Sequence, residues 1–348
     1  MTLKMIMMNK NMTDYLVKLE IHRAEKNEDY FLQHGLMGTC IFLFWLSRIS
    51  GDKSYEALAY RKLNTISRFL GEKSPLDCMN GLTGIGLGYC YLFNKGYIQG
   101  NADDLLKSLD SHIYKMVIRG LEYPPIKVEK FGNTLLDVML YLSWRLNHSL
   151  FDLSERIIMT DLLSCVLNMI YQNHSASFYE EPLPFSLSYK LPRFLLGMTW
   201  AHKIEACRNR IEYILNECSI NVLSRIPYCE ANRLFLLRVL VELEQEIQLN
   251  RKWQLYIDLL QNNISMENIL NDEISSSNLY LSKGLSGIYL LTRKCRNFGY
   301  STVALNQKIG SMSTFQLKDY ENMANCGFVG LDGILGLWMV RNQIQTEL

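Results

Sequence analysis

The sequence predicts an all-α protein, an α/α toroid (an α7/α7 barrel) of seven inner and outer helix pairs. Three observations lead there: a glycine pair that recurs ahead of apolar runs, amphipathic stretches between those runs, and a count of helix starts that fills the length. Four glycine pairs at i and i+3 share one grammar: HGLMGTCIFLFWL at Gly35 and Gly38, NGLTGIGLGYCYL at Gly81 and Gly84, KGLSGIYLL at Gly284 and Gly287, and VGLDGILGLWM at Gly330 and Gly333. Self-similarity at long intervals signals a repeat architecture. Glycines three apart share a helix face, where missing Cβ atoms admit another backbone and leave first-turn amides uncovered. That grammar predicts inner helices whose starts crowd a shared centre.

The elements follow in order. Residues 1–30 read as an N-terminal helical extension and residues 31–348 as a single toroidal domain. The first inner helix begins at Gly35, and YEALAYRKLNTISRFL (Tyr55 to Leu70) behind it carries apolar residues near i, i+3, i+4 and i+7, as an outer helix should. After the second inner helix at Gly81, similar patterns run from Leu105 to Ile118, Ser154 to Tyr171, Lys203 to Leu223 and Trp253 to Ile264. The inner helices between them are degenerate copies. KFGNTLLDVMLYLSWRL keeps Gly132, LSYKLPRFLLGM places Lys190 and Arg193 in the glycine positions, and PYCEANRLFLLRVL places Cys229 and Asn232 there. The seven starts are then residues 35, 81, 132, 190, 229, 284 and 330. A closed ring of such pairs buries both faces and leaves no end repeat to cap.

Composition sets outer limits. At 348 residues and 48% hydrophobic content the chain can build a large core. Lys plus Arg at 36 nearly balances Asp plus Glu at 35, so no global charge steers it to nucleic acid. The apolar run from Thr39 to Leu46 falls short of the ~20 residues that span a bilayer, and polar Asn9, Lys10 and Asn11 interrupt any secretory core. Nine cysteines without a CxxC spacing fit a reduced, cytoplasmic setting.

HGLMGTCIFLFWLSRISGDKSYEALA, NGLTGIGLGYCYL and GFVGLDGILGLWM together resemble the first, second and last inner-helix segments of the lanthionine synthetase C-like family, and the repeat grammar covers about Leu32 to Val340. The resemblance implies an α/α toroid with zinc at its mouth. In catalytic members it implies addition of a peptide cysteine to a dehydroalanine or dehydrobutyrine, which closes a thioether ring. That chemistry needs a thiolate, which zinc supplies by coordination, and an acid to protonate the resulting enolate.

The family takes its ligands from a W-C-Y-G and a C-H-G segment, and a candidate acid from an A-H-G segment. Here Ser282 and Lys283 stand in the C-H places before Gly284, Pro227 falls at the W-C-Y-G ligand place with Cys229 two residues on, and Tyr189 replaces the A-H-G histidine. The expectation is therefore a protein without cofactor, its zinc lost, with Cys229 and Cys326 as the weak alternative ligands. Ser282 reads as a helix N-cap, Tyr189 and Tyr228 as packing or pocket-lining groups, and His34 as structural.

If Lys190 and Arg193 face the mouth with Lys283, they make a cationic bowl for an acidic peptide, with Tyr228 and Ser282 beside it, while Lys203, Arg208 and Arg210 extend the basic cluster; the other reading is an outer face balanced by Glu205 and Glu212, with Lys283 a solvated rim lysine. The expected partner is a precursor peptide or a peptide-modifying enzyme. Two other readings remain open. One is an active zinc-dependent cyclase; the other is a glycan-acting α/α toroid of the six-hairpin glycosidase kind, using Asp137 and Asp332 as its carboxylate pair.

Overall fold

The computed structural model describes residues 10–69, 74–100, 102–122, 128–149, 151–173, 176–274, 278–294, 303–311, 327 and 329–347. Cys326 lies outside them. The first helices along the chain are α1 (Lys10–Lys26), α2 (Leu36–Ser50), α3 (Lys53–Phe69), α4 (Leu82–Asn94) and α5 (Ala102–Glu122). They are followed by α6 (Val128–His148), α7 (Leu153–Asn173), α8 (Lys190–His202), α9 (Arg208–Leu223) and α10 (Glu230–Glu246). The last are α11 (Arg251–Asn262), the single turn α12 (Met266–Asn268) with its π-helical continuation Ile269–Glu273, α13 (Leu285–Lys294), α14 (Val303–Ser311) and α15 (Ile334–Glu347). Among the described residues there is no strand.

The inner-helix starts fall close to where the glycine grammar puts them. Gly35, Gly81 and Gly284 each sit one residue before a helix, Cys229 likewise precedes α10, and Lys190 opens α8. Two starts differ. Helix α6 begins at Val128, ahead of Gly132, and Gly330 and Gly333 form a turn before α15, with Gly330 at φ +64°. That left-handed φ is open to glycine and strained for most other residues.

Two compact units divide the chain: Met1–Ser74 with Met79–Ile98 and Ile274–Leu348, and Pro75–Cys78 with Gln99–Glu273. In the first, α2 packs on α1, α3, α4 and α15, and α13 packs on α14 and α15. Helix α2 is apolar nearly all round, so every residue from Leu36 to Ser47 is buried. It stops at Gly51, whose left-handed φ of 74° lets its N–H return to the Ser47 carbonyl at 2.9 Å. In the second unit α6, α8 and α10 pack in sequence, with α7, α9 and α11 against them. Amphipathicity places this outer set: Trp253, Tyr256, Ile257 and Leu260 of α11 are buried, while Leu255 and Leu259 on its other face are exposed.

A methionine of one inner helix fills the gap left by a glycine of the next. Met37 of α2 lies against Gly88 of α4, and Met139 of α6 lies against Gly197 of α8, so a Cβ at either glycine would collide with the methionine. The flexible thioether suits such an irregular space.

Candidate functional site

The candidate site residues belong to loops that lead into inner helices and, for Lys190 and Arg193, to the first turn of α8. In the first unit, the loops before α2 and α13 are built alike. The Asp29 carbonyl accepts the Leu36 N–H at 2.9 Å, and the Asn278 carbonyl accepts the Leu285 N–H at 2.9 Å. A Cβ at Gly35 would lie 2.5 Å from the Phe31 nitrogen, and one at Gly284 2.8 Å from the Tyr280 nitrogen. The glycine is therefore required by its own preceding loop. This corrects the expectation that the bare glycines leave first-turn amides uncovered, because here the loop carbonyl takes that amide. Gly284→Ala should cost about 1–3 kcal/mol of stability, since two of the three nearest obstructing atoms are backbone, and a urea denaturation midpoint checks it.

Asp332 ties these loops together. Its Oδ1 accepts the Ser282 N–H at 2.6 Å, and its Oδ2 accepts the Ser282 hydroxyl at 2.9 Å and the Gln33 amide at 2.9 Å. The His34 Nε2 lies 3.5 Å from the same oxygen. The backbone joins in: Asp332 N–H donates to the Gln33 carbonyl at 3.2 Å, and Leu281 N–H donates to the Asp332 carbonyl at 2.9 Å. Burial alone would push the carboxyl up, but the hydrogen bonds from His34, Ser282 and Gln33 outweigh it and hold the group below its ordinary value.

Ser282 is accordingly not the N-cap the sequence suggested. Its hydroxyl serves Asp332, two residues before Gly284, and the first free amide of α13 is covered by Asn278. Lys283 is exposed; its ammonium lies 4.8 Å from the Tyr280 ring centroid and makes no ion pair among the described residues.

The second unit holds the other candidates. Arg193, in the first turn of α8, is ion-paired with Asp137 of α6, whose other oxygen accepts the Cys78 N–H at 2.9 Å. Arg193 is thus neutralised and nearly buried, and it does not belong to a cationic bowl. Lys203, Arg208 and Arg210 lie at and beyond the C-terminal end of α8, a helix away from Lys190. Arg208 donates to the His202 carbonyl at 3.3 Å, and Arg210 sits over the rings of Tyr171 and Tyr213. The basic residues that cluster in sequence are separated by the length of one helix in space. Tyr189, just before α8, is 2% exposed, and burial together with Glu181 raises its phenol above the ordinary value. Tyr228 is 81% exposed and so is not a packed core group.

Two glutamates that the sequence reading passed over organise the start of α10. Glu181 accepts the N–H of Tyr228 at 2.5 Å, the N–H of Cys229 at 2.8 Å and the Asn232 side-chain amide at 2.8 Å. Glu273 accepts the N–H of Glu230 at 2.5 Å and of Ala231 at 2.9 Å. Four consecutive amides at the positive end of a helix are thereby matched to two carboxylates. No spacing rule marks these glutamates, since each meets α10 across more than forty residues. The buried Cys229 thiol is pushed up to about 12, first by burial and then by Glu273, to which it donates, and by Glu181.

These donor sets do not fit zinc. At the two C-H places a serine hydroxyl is committed to Asp332 and an ammonium would repel the metal, while burial, and after it Glu273 and Glu181, disfavour the thiolate of Cys229. Among the described residues no three His, Cys, Asp or Glu side chains form a metal-holding group. No helix among them is long and apolar enough to cross a membrane.

This helical architecture is that of the α/α toroids. Among solved structures the chain is similar to nisin cyclase, with a TM-score of 0.56, 16% identity, and coverage of 98% of this chain and 95% of that one. No protein-family model and no curated protein matches the sequence.

Proposed function

We propose that this chain is a divergent lanthionine synthetase C-like protein that binds a peptide, or a peptide-modifying enzyme, in a lanthipeptide-type maturation system without zinc and without closing thioether rings. The observation that carries the reading is the fate of the C-H positions. Ser282 is a fixed part of the Asp332 knot, and Lys283 brings a cation to the place where the resemblance puts a metal ligand. Tyr189 supports it, because a buried phenol with a raised pKa is a poor proton donor to an enolate at neutral pH. The fold likeness to a cyclase of nisin supplies the peptide context.

A working cyclase would need a thiolate-generating group, and Cys229 among carboxylates does not provide one. The glycan reading has no observation in its favour. Asp137 is engaged by Arg193 and the Cys78 N–H, and Asp332 by Ser282 and Gln33, so neither is free for acid–base exchange. The reading is tested by incubating the full chain with a dehydrated, cysteine-bearing peptide and zinc, then alkylating free thiols and weighing the product. All thiols should remain alkylatable. Conversion to a thioether product above the uncatalysed rate would establish the cyclase reading instead.

A further inference from the structure

The end of the second unit where α8 and α10 begin carries large apolar side chains in the open. Leu183 is 69% exposed, Ile226 50% and Tyr228 81%. These residues sit on two loops that Glu181 joins through its bonds to the Tyr228 and Cys229 amides, and the Pro182 carbonyl adds a bond from Asn232 at 3.0 Å. A third segment closes on the same helix start: Glu230 accepts the Ser265 N–H and the Asn268 side-chain amide, while Glu273 holds the next two amides. Exposed aromatic and branched side chains grouped on joined loops mark an interaction surface.

The charge around this patch is negative. Residues 179–190, 224–233 and 264–274 contain six carboxylates and three cations. Of the cations, Arg233 is spent on the carbonyls of Pro227, Tyr228 and Asn263, and Arg225 lies over the Tyr179 ring. Of the carboxylates, Glu180, Glu267 and Asp272 are exposed and make no ion pair among the described residues. Glu181 and Glu273 meanwhile offset the positive end of α10, so the helix start does not attract an anion.

We infer that this face binds an apolar, cationic peptide segment, whose large side chains pack on Leu183, Ile226 and Tyr228 while flanking Lys or Arg residues meet Glu180, Glu267 and Asp272. The inference rests on the peptide-binding reading and reverses the charge of the ligand that the sequence suggested. Such complementarity acts on partner choice and encounter rate, and it weakens with salt.

Fluorescence anisotropy on the full chain tests it with two labelled synthetic peptides. Both carry the same leucine and tyrosine residues; one is flanked by lysines and the other by glutamates. The lysine peptide should bind about tenfold more tightly at low salt. The triple variant E180Q/E267Q/D272N should remove most of that preference, and Tyr228→Ser should weaken the lysine peptide severalfold. These are surface positions, and an unchanged thermal melt confirms each variant's fold. Equal or tighter binding of the glutamate peptide overturns the inference and leaves the peptide-binding reading standing. Binding of neither peptide overturns the inference and, of the proposed function, leaves only the binding of a peptide-modifying enzyme. A lysine preference that survives the triple variant also overturns the inference, because the charge would then be read elsewhere.

Discussion

Arg145→Met should destabilise the protein by about 3–5 kcal/mol, the largest single-residue effect expected here. Arg145 of α6 is fully buried and serves two acids of α5. It donates to Asp110 Oδ2 at 2.6 Å and to Asp103 Oδ1 at 2.6 Å, and Tyr141 donates to the remaining Asp110 oxygen at 2.5 Å. Burial opposes the guanidinium charge, but the bonds to Asp110 and Asp103 overcome it and raise the group further above its ordinary value. Methionine matches the volume and leaves two carboxylates without their cation. The loss should therefore be partly recovered in the triple variant R145M/D103N/D110N, which removes the stranded charge. Urea denaturation of the full chain measures both. A loss below about 1 kcal/mol for Arg145→Met would show that water reaches the acids freely.

The second large effect belongs to Asp332. Asp332→Ala strands the Ser282 N–H, the Ser282 hydroxyl and the Gln33 amide, and should cost about 2–4 kcal/mol. The same carboxylate sets an acid limit. Its folded-state pKa is depressed, so its contribution is complete above the unfolded value of about 3.9 and is lost as pH falls through the lower, folded one. Between neutral pH and about pH 4 the wild type and Asp332→Asn should therefore differ by a constant amount in stability. Below that the gap should close. A gap that widens in acid would mean that the carboxyl is protonated in the native state.

Much of the helical layout was legible because its causes are local. A bare position before an apolar run sets a helix start, and five starts fall at or one residue after the expected residue. Helix α6 starts early because Val128 to Phe131 continue its helical turn through Gly132, where the weakened copy had lost its second glycine. The last copy differs because Gly330 is fixed by contact with a distant loop. A Cβ there would lie 2.5 Å from the His34 Cα, a juxtaposition that sequence spacing does not reveal.

The site was legible as a set of substitutions but not as a set of partners. Sequence places Ser282 and Lys283 where a Cys and a His would stand, and that reading needs only register. It could not assign Arg193 to Asp137, or Ser282 to Asp332, because those pairs lie 56 and 50 residues apart. Hence the basic cluster around Lys190 looked like one surface. One member proves to be a nearly buried ion-pair partner, and three others lie at the far end of α8.

The proposal that this chain works without the zinc its resemblance implies is tested most directly by elemental analysis. The protein should be purified with zinc present and chelators absent, passed through gel filtration, and assayed for zinc per chain. The account predicts a zinc content far below one per chain, unchanged in Cys229→Ala. About one zinc per chain, lost on Cys229→Ala, would contradict it and restore a metal-dependent cyclase as the reading of this fold.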